Sequence, residues 1–124
     1  MSTSRWMGES FMRCHHCGEL PDGGMDQRVL DIYDAICDSL GFAPNPNCCY
    51  RCPSHNAEVG GAAHSYHMLG MAIDIDASEV EGGVDALGEL ARSINPDGGV
   101  IEYHGSCFVH VDCRDDGAYH AVND

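Results

Sequence analysis

Positive charge is scarce in this sequence. Six Lys and Arg residues stand against 20 Asp and Glu residues in 124 positions, a formal net charge of −14. A chain so short of cations is not built to grip the phosphates of nucleic acid, nor to be drawn to anionic membranes or wall polymers by charge alone. Most of the excess acid reads as a solvated surface that keeps the protein soluble. No stretch approaches the ~20 consecutive apolar residues of a membrane span. The opening Met1–Arg13 segment, MSTSRWMGESFMR, lacks the apolar core of an export signal. The expectation is a protein that is cytoplasmic as synthesised and reaches a cell wall only after release. With 124 residues there is room for one domain, not two.

Cysteine, by contrast, is plentiful: there are eight. Without an export signal a secreted disulfide scaffold has little support, and thiolate metal ligation is the alternative. Cys14-His15-His16-Cys17 has a C-x-x-C spacing, and Cys49-Tyr50-Arg51-Cys52 repeats it. The expectation is that Cys14, Cys17, Cys49 and Cys52 (or Cys48) lie together, as a second, structural zinc site or as disulfides. Plain buried thiols remain the third reading.

Residues 1–25 read as irregular, broken by Gly18, Pro21, Gly23 and Gly24. From Asp26 to Leu40, Val29, Leu30, Tyr33, Ile36, Cys37 and Leu40 recur at helical spacing. Asp26 can cap the start and Gly41 the end, with the Asp residues facing water. Residues 43–64 read as a long loop with one short strand. Ala72–Asp76 alternates so that Ile73 and Ile75 face a core and Asp74 faces the other way. Val84–Ile94 reads as a second helix, and 100–103 with 107–113 as a β-hairpin carrying Phe108, His110 and Asp112 on one face. Helices and strands are segregated, so the class is α+β: a single domain with a small antiparallel sheet flanked by helices.

Three residues carry the most chemistry. His67 and Asp74 are seven residues apart with Gly70 to turn the chain between them, and His110 sits mid-strand. Two imidazoles and a carboxylate make a three-ligand zinc site with an open fourth position, the arrangement a hydrolase needs. Spacing alone equally allows three unrelated polar groups.

The segment Ser65-Tyr66-His67-Met68-Leu69-Gly70-Met71-Ala72-Ile73-Asp74 resembles the S-x-H-x-x-G-x-A-x-D signature of the zinc D-alanyl-D-alanine carboxypeptidases, a family that includes phage murein endopeptidases and shares its fold with the hedgehog signalling domain. Tyr50-Arg51-Cys52-Pro53-Ser54-His55-Asn56 through Gly60-Gly61 resembles a second family stretch, and Tyr103 with Phe108-Val109-His110-Val111-Asp112 resembles its close. These motifs span about residues 10–114. The resemblance implies one catalytic zinc on His67, Asp74 and His110, and peptidoglycan peptides as substrate. It implies that Arg51 grips a substrate carboxylate or carbonyl. Ser65 would position substrate, unless it is a local turn cap.

The sequence departs from the family in two places. The glutamate that some members carry three residues before the last histidine is Cys107 here, and their S-G-Y-R is Cys48-Cys49-Tyr50-Arg51. Asp112 is then the first candidate for general base, or else a partner that orients a ligand; His104 and Glu102 follow. The function expected is that of a zinc peptidase, a D,D-carboxypeptidase or murein endopeptidase of the phage lytic kind. Its rivals are a non-catalytic zinc module that binds a peptide or partner, and a redox or metal-storage protein built on the cysteines.

Overall fold

The structure is a computed structural model that describes residues 2–124. Its longest helix, α2 (Gln27–Leu40), begins and ends where the sequence places its caps. The Asp26 side chain accepts the Arg28 N–H, and Gly41 closes the helix in the left-handed region at φ 81°. Val29, Leu30, Tyr33, Ile36 and Cys37 are buried on one face. One acidic residue departs from the expected water-facing set. Asp34 is buried, because its carboxylate accepts the Ser4 hydroxyl and the Arg5 N–H and so ties down the N-terminal segment.

Strands β1 (Pro46–Cys48), β2 (Ala72–Asp76), β3 (Gly99–Tyr103), β4 (Phe108–Asp112) and β5 (Tyr119–Asn123) form a sheet in the order β1-β2-β4-β3-β5. The first four are antiparallel, with Asp74 opposite His110 and Ile101 opposite His110 on its other side. The expected antiparallel sheet is carried by these four strands, and a fifth, β5, adds at the edge in parallel to β3. Alternation sends Ile73, Ile75, Val100, Val109 and Val111 to one face, where they pack with α2 and α4 (Gly83–Ile94) in a single core. Each such side chain contributes roughly 1.5–3 kcal/mol of burial. That face fixes the register, and the register fixes which residues line the opposite face.

Three further elements sit in segments that read as irregular. A single turn, α1 (Glu9–Met12), interrupts the N-terminal segment. Helix α3 (Pro53–Glu58) starts with proline at its first position, and the Cys52 sulfur accepts the His55 N–H as its cap. A 3₁₀ turn spans Tyr66–Leu69 and ends on Gly70 at φ 70°, where a side chain would also press on Pro21.

Candidate active site

On the sheet face opposite the helices lies a cleft of about 440 Å³ lined by residues of the loop before the 3₁₀ turn, of β2, β3 and β4, and by Arg51 and Arg114. His67 reaches its floor from the 3₁₀ turn, which is capped by the Ser65 hydroxyl accepting the His67 N–H at 3.2 Å. Asp74 and His110 arrive from paired positions of β2 and β4. The three side chains meet: His67 Nε2 and His110 Nδ1 each lie 3.1 Å from the same oxygen, Asp74 Oδ1.

The outer nitrogens of both imidazoles are already occupied. His67 Nδ1 donates to the Cys49 carbonyl at 2.8 Å, and His110 Nε2 donates to Asp112 Oδ2 at 2.7 Å. These bonds fix each ring's orientation and leave the inner nitrogens facing one point, as a metal requires of neutral histidine ligands. The electrostatics carry the same message. Burial disfavours a charged His67, yet the Asp74 carboxylate and the Cys48 thiol beside it prevail and push its pKa up to about 10. Burial alone would raise Asp74; His110 and His67 instead hold it well below the usual carboxylate range. A buried carboxylate flanked by two imidazoles takes a cation in one form or another, protons or a metal. The donor set, two nitrogens and one oxygen on rigid elements, fits zinc.

Arg51 stands on the cleft wall. Its Nη1 donates to Asn56 Oδ1 at 2.8 Å, its Nη2 lies 3.7 Å from Cys48 Sγ, and a side chain on Gly61 would collide with the guanidinium and with Asn56. Ser65 lines the cleft as well as capping the turn.

The three candidate bases fare differently. Asp112 shares the sheet face of His110, as its spacing predicts, but it lies behind the ring and is 0 % exposed. Its oxygens accept from His110 Nε2, from the Gly99 N–H at 3.1 Å and from Arg114 Nε at 2.8 Å. Burial opposes its charge, but Arg114 and His110 hold the Asp112 pKa well below the ordinary carboxylate range. It is bonded to the far side of the His110 ring and does not line the cleft. Glu102 and His104 do not reach the cleft either. Glu102 is buried on the helix face of the sheet, bonded to Arg92 and, at 2.8 Å, to His104 Nε2. Among the described residues that line the cleft, Asp74 is the one carboxylate.

Two residues at this site had no signal in the motif spacing. The Arg114 guanidinium sits 4.5 Å from the Tyr66 ring centroid and 5.0 Å from that of Tyr119, one face of the cleft meeting the edge strand β5. Cys48 brings its sulfur within 4.8 Å of ligand atoms of both His67 and Asp74.

The expected cysteine set is also corrected. Cys14, Cys17 and Cys52 lie together, with sulfurs within 4.8 Å of one another. Cys49 does not join them: it is buried in the core, 3.7 Å from Met7 Sδ. Adjacent residues at the end of a strand point to opposite faces, so Cys48 turns to the cleft and Cys49 away from it.

A family model described as Peptidase M15 matches residues 10–112. The chain belongs to the M15 peptidases. The match takes in His67, Asp74 and His110, the Arg51 wall and Asp112 at its last position. M15 peptidases are zinc-dependent, in keeping with a site that offers two imidazoles and a carboxylate. No curated protein matches the chain significantly. Among the described residues no helix is long and apolar enough to cross a membrane.

Proposed function

We propose that this M15 peptidase hydrolyses D-amino-acid peptide bonds of peptidoglycan, as a D,D-carboxypeptidase or murein endopeptidase, with His67, Asp74 and His110 holding its zinc. One observation carries the reading: two imidazoles with their outer nitrogens satisfied both aim at Asp74 Oδ1, at 3.1 Å each, on the floor of a cleft. Zinc at that point would polarise a scissile carbonyl and acidify water.

The chain's own groups do the rest. Arg51 offers a guanidinium fork to a peptide carboxylate or to the carbonyl oxygen as it gains charge. Ser65 offers a hydroxyl for the peptide backbone. The stacked rings of Tyr103 and Phe108, with centroids 4.5 Å apart, form an apolar wall suited to an alanine side chain. Asp112 holds His110 in the tautomer that leaves Nδ1 free. With Asp112, His104 and Glu102 turned away, the proton falls to His64, the exposed imidazole on the cleft wall. Against a surface of net charge −14, Arg51 on the cleft wall is the cation available to an anionic peptide terminus, Arg114 being paired with Asp112.

Cys48 favours a second reading. If its thiolate filled the fourth position, the centre would be closed like a structural zinc site, and the chain would bind a peptide or partner without cutting it. Muropeptides incubated with wild type and with Cys48→Ser, before and after chelation and zinc return, separate the two. The peptidase reading expects zinc-restorable cleavage by the wild type. Cleavage by Cys48→Ser alone identifies a closed site, and cleavage by neither removes the peptidase reading. Substrates with free and with amidated C-terminal carboxylates then distinguish carboxypeptidase from endopeptidase.

A further inference from the structure

A second cluster of ligating side chains lies outside the cleft, at the start of α3 next to Arg51 in the chain. The sulfurs of Cys14, Cys17 and Cys52 are mutually within 4.8 Å. In a tetrahedral zinc site with Zn–S bonds near 2.3 Å, two sulfurs are separated by about 3.8 Å, and a sulfur and an imidazole nitrogen by about 3.6 Å. His16 Nδ1 stands 3.7 Å from Cys52 Sγ.

The backbone is arranged for thiolates. The N–H groups of His16 and Cys52 both point at Cys14 Sγ at 3.4 Å, and the His55 N–H points at Cys52 Sγ at 3.4 Å. Gly18 N–H bonds the Cys14 carbonyl at 2.9 Å with Gly18 at φ 73°, so the C-x-x-C segment closes into a tight turn that sets both sulfurs on one side. His16 is oriented as metal-bound histidines are. Its Nδ1 faces the Cys52 sulfur at the edge of the three-cysteine cluster, its Nε2 faces a carboxylate (Glu58 Oε2, at 3.8 Å), and the ring stacks on His55 with centroids 5.5 Å apart. Three cysteines also suit a metal better than a disulfide, which would leave one thiol over.

We propose that Cys14, Cys17, Cys52 and His16 Nδ1 form a structural zinc site. The site would clasp the N-terminal segment to the start of α3 and brace the Arg51 wall between them. Tyr50 N–H already bonds the Met12 carbonyl at 3.2 Å, and Arg51 N–H bonds the His67 carbonyl at 3.1 Å. A metal at Cys52 therefore stiffens the residues that carry Arg51, without touching the cleft.

The test uses the full chain with the cleft disabled, as the double variant His67→Ala/Cys48→Ser, purified under reducing conditions. The proposal expects about one zinc per chain to remain. Cobalt(II) exchange should give thiolate-to-cobalt charge-transfer absorption. Cys14→Ser or Cys17→Ser added to this background should abolish that absorption. His16→Ala should keep a sulfur-cobalt band, shifted, with metal affinity lowered roughly tenfold or more, while His55→Ala changes affinity little. Should the cysteine variants fail to fold, the cobalt spectrum of the double variant and the His16→Ala comparison still decide. No retained metal with three titratable thiols, or a protein lighter by one disulfide, overturns the site. Undiminished affinity in His16→Ala overturns the fourth ligand. None of these readouts depends on peptidase activity.

Discussion

Replacing Asp112 by Asn separates an orienting residue from a general base. The carboxylate accepts from the His110 ring at 2.7 Å, from the Gly99 and Arg114 N–H groups at 3.1 Å, and from Arg114 Nε and Nη2 at 2.8 and 2.6 Å. An asparagine keeps the shape but turns one oxygen into a donor facing donors. It also leaves Arg114, whose side chain is 14 % exposed, without its ion partner. Removing one partner of a buried pair costs about 3–5 kcal/mol, and the partial exposure of Arg114 puts this case near the low end. A freed His110 loses its fixed tautomer, so zinc affinity should fall about 10–100-fold, or roughly 1.4–2.7 kcal/mol. Zinc-buffered titrations of activity, with zinc content measured alongside, resolve the two effects. The expected result is a right-shifted zinc dependence that recovers most of the wild-type rate at saturation. Unchanged zinc affinity with a saturated rate lower by more than ~10² would mean that Asp112 takes the proton after all, and would refute the geometric argument.

Arg51→Ala should lower kcat/KM on carboxylate-ended peptides by about 10²-fold with zinc content unchanged, and Arg51→Lys should recover only part, as expected of a bidentate fork. His64→Gln should lower kcat by about 10²-fold or more with zinc content unchanged; an unaltered kcat would exclude His64 as the proton carrier. In the metal-free protein His67 has its pKa pushed up to about 10, above its ordinary value near 6.5. Its contribution to stability is therefore full below about 6.5 and is lost as pH rises towards 10, so the Tm advantage of apo wild type over apo His67→Gln should shrink across that window. Gly88→Ala should destabilise by about 1–3 kcal/mol in thermal unfolding, because a side chain there collides with the buried Glu102 carboxylate that Arg92 and His104 hold.

The legible parts of this fold are those that bury a regular apolar face. Helix α2 shows its caps and stripe in the sequence, and β2 and β4 show their alternation, which puts Asp74 and His110 on the face away from the core. Strand β5 had no such signal: Tyr119 and Val122 are exposed, and an edge strand held by backbone bonds to β3 needs no apolar alternation. Helix α3, at six residues, is too short for a helical period to register, and its cap is a cysteine sulfur rather than a hydroxyl or carboxylate. The meeting of His67, Asp74 and His110 on one sheet face was legible, but the surroundings of each side chain were not. The two-residue period places Asp112 beside His110 and says nothing of which side of the imidazole it meets. The C-x-x-C repeat likewise pointed at Cys49, whereas strand geometry turns Cys49 into the core and brings Cys52 alone to Cys14 and Cys17.

The central claim is that His67, Asp74 and His110 hold a zinc ion in the cleft. Anomalous diffraction at the zinc absorption edge, from crystals of the zinc-loaded chain, tests it most directly. The account predicts a peak at about 2.0–2.2 Å from His67 Nε2, Asp74 Oδ1 and His110 Nδ1, with Asp112 still bonded to His110 Nε2. A cleft with no peak in the zinc-loaded chain, or a peak bound by other residues there, would contradict it.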